Sequence, residues 1–238
     1  MSTQVAILAA GLGTRLGRPF PKPLTPLTSG QSIIDRQITY LREALGDDVL
    51  ITVVVGFKHD LIMEAAPDVL FAYNELFDQT NTSKSLLKAL RLSGAGGLMW
   101  LNGDVVFHPE LIPSLLPEIE KGDSFVSVNT ASVAEEEVKY TLDAEGYIAE
   151  LSKQVVNGRG EAVGINYVSQ ADKAALVGCL DRCAPDDYFE RGIELAIAEH
   201  GQRWRAVDIS AYDCVEVDFE EDLANANALL ADASPQRD

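Results

Sequence analysis

The chain lacks long apolar runs: nothing in its 238 residues reaches 18 consecutive apolar positions, so no membrane-spanning helix is expected. No cationic segment leads into an apolar stretch and cleavage site at the start, so no signal peptide is visible and the expected location is cytoplasmic. Cysteine is scarce, with only Cys179, Cys183 and Cys214. A sparse, odd count builds no disulfide framework and suits a reducing compartment. Cys179 and Cys183 lie four apart on an expected helix, but no histidine or second cysteine pair stands at ligand spacing, so they read as buried, inert thiols. His59, His108 and His200 share no motif, and no Ser-His-Asp set has usable spacing. Positive charge is short as well: 19 Lys and Arg face 37 Asp and Glu, a net charge of -18. Such a chain repels nucleic acid and anionic membranes at long range, which argues against both as partners.

Against that negative field, one local cluster of cations stands out. Residues 5–24 read Val-Ala-Ile-Leu-Ala-Ala-Gly-Leu-Gly-Thr-Arg-Leu-Gly-Arg-Pro-Phe-Pro-Lys-Pro-Leu. An apolar run opens into a glycine-bearing loop carrying Arg15, Arg18 and Lys22. A buried strand that ends in a flexible, cationic loop is the form taken by a nucleoside triphosphate site. Arg15 offers a planar fork for bidentate phosphate contacts, and Lys22 a compact point charge held between Pro21 and Pro23.

Periodicity predicts strands over 4–10, 49–55, 69–73 and 97–102, with helices over 32–45, 58–66 and 82–92 between them. That alternation means a parallel sheet with crossover helices on both faces. After about residue 122 strand-like runs recur at 124–129, 138–142, 147–150 and 162–168, with a turn at 143–146. Helices at 170–183 and 187–200, a strand pair at 204–208 and 214–217, and a helix over 219–230 follow, and 231–238 reads as a frayed tail. The whole chain, 1–238, is read as one α/β domain: a nucleotide-binding lobe over 1–122, and an acceptor lobe with closing helix over 123–230.

Two common nucleotide motifs are excluded. The dinucleotide fingerprint needs Gly-x-Gly-x-x-Gly, but here the third glycine, Gly17, comes one residue late; the second strand also ends without an acid. The lysine of a Walker loop is absent. Leu-Ala-Ala-Gly-x-Gly-x-Arg-Leu-Gly followed by Pro-Lys-Pro-Leu resembles instead the signature of nucleotidyltransferases that activate sugar phosphates, polyol phosphates and choline phosphate. The short span from Arg15 to Lys22 is more similar to the cytidylyltransferases among them.

The resemblance implies a Rossmann-like, mostly parallel sheet of the nucleotide-diphospho-sugar transferase type with a small β-rich acceptor lobe. It implies nucleotide contacts from Leu8, Ala9, Ala10, Gly11, Gly13, Asn81, Ser85 and Gly103, although Asn81 and Ser85 also suit plain helix capping. Asp104 ends an expected central strand and Asp218 precedes the last helix; in the family this pair holds magnesium, while Asp218 alone could equally cap that helix. Arg15, Lys22 and Lys153 take the catalytic roles, and Lys139, Glu161 and Tyr188 the acceptor side. The implied partners are CTP or another NTP and a small phosphate or phosphonate acceptor; a homodimer stays open. The implied reaction is CMP transfer with pyrophosphate release, and the alternative is a sugar-1-phosphate nucleotidyltransferase using UTP, dTTP or GTP.

Overall fold

Val5 to Ala9 are apolar without alternation, as a strand covered on both faces requires. In the computed structural model, which describes residues 3–131, 133 and 136–232, they lie on the buried central strand. In chain order the strands are β1 (Gln4–Ala9), β2 (Leu50–Val55), β3 (Leu70–Tyr73), β4 (Leu98–Asn102), β5 (Val105–Phe107), β6 (Phe125–Asn129), β7 (Lys139–Leu142), β8 (Ile148–Ser152), β9 (Glu161–Val168), β10 (Arg205–Asp208) and β11 (Cys214–Glu216). The helices are α1 (Ile33–Leu45), α2 (His59–Ala65), α3 (Thr82–Leu92), α4 (Leu111–Lys121), α5 (Gln170–Arg182), α6 (Phe189–His200) and α7 (Glu220–Asp232).

The main sheet runs in the order β10-β6-β9-β4-β1-β2-β3. Its β4-β1-β2-β3 part is parallel, and β9 enters antiparallel between β4 and β6. β7 and β8 form a hairpin joined to β9 where Lys139 faces Glu161. One face of the sheet packs on α1, α4 and α7 through residues such as Ile34, Leu111 and Leu229. The other packs on α3, α5 and α6 through Leu86, Leu180 and Ile193, with Trp100 edge-on to both Phe189 and Trp204. This is the mostly parallel, helix-flanked sheet expected.

Helix α4 is not among the expected helices, and it contains Pro113 and Pro117, residues that disfavour a helix. Pro113 falls in the first turn, where a missing N–H is tolerated. Pro117 lies inside, and the complete burial of Leu111, Ile112 and Leu115 offsets the backbone bond it removes. The expected strand pair at 204–208 and 214–217 also differs: β10 joins β6 in the main sheet, whereas β11 pairs antiparallel with β5. A turn closed by Tyr212 N–H donating to the Ile209 carbonyl (2.8 Å) carries the chain from one sheet to the other. Helix α7 continues to Asp232, and the rest of the expected tail lies outside the described residues.

Candidate active site

The cationic loop leaves β1 at the carboxyl edge of the sheet, where open α/β sheets take their ligands. Gly13 has φ of 61°, a left-handed conformation that strains any other residue, and a Cβ there would stand 3.1 Å from the Lys22 Cβ. The late glycine, Gly17, is also left-handed (φ 63°) and closes a tight turn by donating to the Thr14 carbonyl at 3.2 Å. The glycine that spoils the dinucleotide fingerprint thus closes the short turn that carries Arg15. Lys58 ties the loop down by donating its ammonium to the Pro19 carbonyl.

Acids meet this loop from two distant places. After β4 the chain turns through Gly103 and Asp104; the Gly103 N–H donates to Leu8 O at 2.9 Å. The buried Gln37 of α1 clamps the same turn, donating Nε2 to the carbonyls of Asn102 (2.9 Å) and Val105 (2.8 Å). Val217 N–H then donates to the Asp104 carbonyl at 3.0 Å, which places Asp218 beside Asp104. The carboxylate of Asp222 accepts from the N–H groups of Asp218 (3.0 Å) and Phe219 (2.7 Å). Asp222 thus caps the approach to α7, and the Asp218 side chain faces the cations.

Lys22 Nζ lies 2.8 Å from Asp104 Oδ2 and 2.5 Å from Asp218 Oδ1, and Arg15 Nη1 bonds the other Asp218 oxygen. Burial opposes the charge on both Lys22 and Asp218, yet their mutual contacts prevail. Asp218 is held below the usual carboxylate range by Lys22 and Arg15, and Lys22 is raised by Asp104 and Asp218. Arg18 pairs with Glu220 at 2.6 Å, outside this cluster.

Arg15, Lys22, Lys153, Leu8, Ala9, Gly11, Gly13, Asn81, Gly103, Tyr188, Asp104 and Asp218 line one cleft of about 480 Å³. Ala10, Ser85, Lys139 and Glu161 do not line it. Ser85 is buried, with its Oγ accepting from Asn74 Nδ2 at 3.2 Å. Asn81 borders the cleft, but its side chain caps α3 by accepting from Thr82 N–H (2.8 Å). Lys139 and Glu161 face each other across β7 and β9, and the Glu161 charge bears on Glu137. Lys153 Nζ sits 5.3 Å from the Tyr188 ring centroid.

Five cleft acids, Asp78, Glu136, Glu137, Glu190 and Glu216, were not among the expected site residues. Glu216 ends β11 two residues before Asp218, a spacing that could have drawn attention to it. Its carboxyl is pushed well above the usual range, first by the negative charge of Asp104 and then by loss of hydration. Glu137 is raised by burial and by Glu161. Glu190, near the start of α6, carried no signal, because a first-turn acid is ordinary in any helix. Carboxylate oxygens of Asp104, Glu216 and Asp218 lie within 4.8 Å of one another, an all-oxygen donor set that fits a hard divalent cation.

The MobA-like NTP transferase domain matches residues 5–173, which include the cationic loop, Asp104 and Lys153. The chain belongs to that family. A curated relative, the CMP-5'-(3-aminopropyl)phosphonate synthase of Streptomyces rubellomurinus, is 26% identical over 94% of this chain and 38% of its own length. The bifunctional protein GlmU of Prochlorococcus marinus is 35% identical over 54% of this chain and 29% of its own length. The NTP transferase chain thus spans well under half of these relatives. Among solved structures, the inositol-1-phosphate CTP transferase of T. maritima shares the fold with a TM-score of 0.79 at 16% identity, covering 100% of this chain and 99% of that one. The CTP:phosphocholine cytidylyltransferase of Streptococcus pneumoniae follows the same fold with a TM-score of 0.74 at 19% identity, covering 97% and 100%.

Proposed function

We propose that this domain transfers CMP from CTP to a small phosphate or phosphonate acceptor and releases pyrophosphate. The observation that carries the reading is the meeting of Arg15 and Lys22 with Asp104 and Asp218 in one cleft. An acceptor oxygen attacks the α-phosphorus while the bond to the pyrophosphate oxygen breaks on the opposite side. The attacking oxygen is already anionic, so the protein needs no strong base. Its task is to hold two repelling anions in line and to spread charge in the transition state.

Arg15 and Lys22 exchange their carboxylate partners for oxygens of the departing pyrophosphate. Gly11 and Gly13 let the backbone come close to the nucleotide. Lys153, at the mouth of the acceptor side, steadies the acceptor phosphate. A divalent cation, magnesium in this reading, held by Asp104, Asp218 and Glu216 would neutralise phosphate oxygens. The similarity to a CMP-aminopropylphosphonate synthase over most of the chain supports cytidylyl transfer.

A second reading, UTP-, dTTP- or GTP-dependent transfer to a sugar 1-phosphate, is favoured by the 35% identity to GlmU over 134 residues. Pyrophosphate release measured with CTP, UTP, dTTP and GTP against phosphocholine, inositol 1-phosphate, 2-aminoethylphosphonate and glucose 1-phosphate separates the two. Turnover with CTP and a non-sugar acceptor is expected. Turnover confined to UTP, dTTP or GTP with glucose 1-phosphate overturns the first reading.

A further inference from the structure

We infer that Lys84 is a positioning residue: it fixes the connection between α5 and α6 so that Tyr188 and Phe189 form one wall of the cleft. Lys84 lies in the first turn of α3 and is half-buried. Its ammonium donates to three carbonyls, those of Leu180 (3.0 Å), Asp181 (3.1 Å) and Cys183 (2.6 Å). An ammonium has three protons to give, so the set is complete. No carboxylate pairs with it among the described residues, although acids outnumber cations in the chain. The last carbonyls of a helix have no partner inside it, and its negative end favours a cation. Lys84 meets both needs of α5 from another helix.

The connection it holds leads into the cleft. Residues 183–188 belong to no helix or strand, and the start of α3 binds them repeatedly. Asn81 N–H donates to the Pro185 carbonyl (2.8 Å), Asn81 Nδ2 to that of Asp186 (3.3 Å), and Ser83 N–H to that of Asp187 (3.3 Å). In return, Phe189 N–H donates to Thr82 Oγ1 (3.1 Å), which supplies the cap that the Tyr188 side chain does not give α6. Tyr188 and Phe189 line the cleft, as Asn81 and Thr82 do. The Tyr188 side chain makes no hydrogen bond among the described residues, and its ring meets the Lys153 ammonium. Its place in the cleft therefore rests on the backbone to either side, and both sides are tied to the start of α3.

A lysine that served only to end α5 would need no more than the carbonyls of Leu180 and Asp181. The third bond reaches Cys183, past the last helical residue, where the connection departs. Without the ammonium these carbonyls turn to water and the start of the connection comes free. Helix α3 itself stays anchored in the core by Leu86, Leu87 and Leu90. Asn81, on the nucleotide side, thus keeps its place while Tyr188, on the acceptor side, loses part of its support. The naming of the two sides rests on the proposed transfer reaction.

Hydrogen exchange of the full chain, read by mass spectrometry, tests the hold directly. In Lys84→Met the segment 184–189 should exchange about tenfold faster, the size of one or two lost hydrogen bonds, with β1 and β4 unchanged. The acceptor KM at saturating nucleotide, measured with the best acceptor among those named for the transfer reaction, should rise about tenfold. CTP affinity by isothermal titration should stay within about threefold, which a general loosening of the fold would not allow. Tyr188→Ala should raise the acceptor KM as well, and adding Lys84→Met to it should raise it less than about twofold further, because the lysine acts through the tyrosine. Lys84→Arg keeps the charge but its planar fork does not aim at three carbonyls, so it shifts the same readouts by less and serves if Lys84→Met does not fold. Unchanged exchange at 184–189, CTP and acceptor weakened alike, or full multiplication of the two effects in the double variant overturns the inference. Absence of turnover with every acceptor, alongside the expected exchange, sinks the transfer reaction and leaves the hold of Lys84 on this wall standing.

Discussion

A carboxyl kept from water at Glu190 makes stability depend on pH in an unusual direction. In the unfolded chain its proton leaves near the ordinary value of 4.5, and in the folded chain near about 7. Between those values the folded state holds the extra proton, so stability falls as pH rises and the loss is complete above the folded value. At about 1.4 kcal/mol per pH unit, the shift corresponds to roughly 3 kcal/mol. Glu190→Gln removes the charge and keeps the shape. Urea denaturation of both proteins at pH 5 and pH 8 isolates the effect, because the other raised acids, Glu137 and Glu216, are common to both. The variant should be close to the natural chain at pH 5 and more stable by roughly 2–3 kcal/mol at pH 8. A stability difference that does not change between the two pH values would refute the argument that burial opposes ionisation of Glu190.

Other perturbations separate the remaining roles. Lys22→Ala should leave the fold intact and cut turnover about a hundredfold, from roughly 2–4 kcal/mol of lost charge stabilisation; steady-state rates within tenfold of the natural enzyme would contradict the role. The same variant should raise the midpoint of acid unfolding. The depressed Asp218 carboxyl contributes stability above its unfolded value that is lost as pH falls through its folded value, and Lys22 supplies much of that depression. If the proposed magnesium site is right, turnover rises with magnesium and Asp218→Ala should abolish that response; an unchanged metal titration would remove Asp218 from the site. Gln37→Ala, which itself does not line the cleft, should cost about 1–3 kcal/mol by unclamping the Asp104 turn, measurable by thermal or urea unfolding. Gly164→Ala should be destabilised by about 1–3 kcal/mol, because Gly164 has φ of 73° and the new Cβ would stand 2.6 Å from Asn102 Nδ2.

Much of the sheet was legible because its signal is local. The unbroken apolar stretches of β1 and β2 and the amphipathic spacing of α1 and α3 can each be read in a single window. Helix α4 was not legible, since a local rule about proline was overridden by burial that only the assembled core supplies. The partnership of β5 with β11 was hidden for the same reason: it joins residues more than a hundred positions apart. At the site, the charged loop could be singled out because cations are rare in so acidic a chain, whereas Glu190 and Gln37 could not. A glutamate in a first turn and a glutamine on a helix are commonplace until the fold shows one with a buried oxygen lacking a partner and the other spanning two carbonyls.

The bond from Lys22 to Asp218 spans 196 positions of sequence. During synthesis the early loop therefore waits, with its ammonium solvated, until nearly the whole domain has left the ribosome. A nascent chain halted before residue 218 would contain the diagnostic motif and still be unable to assemble the cleft.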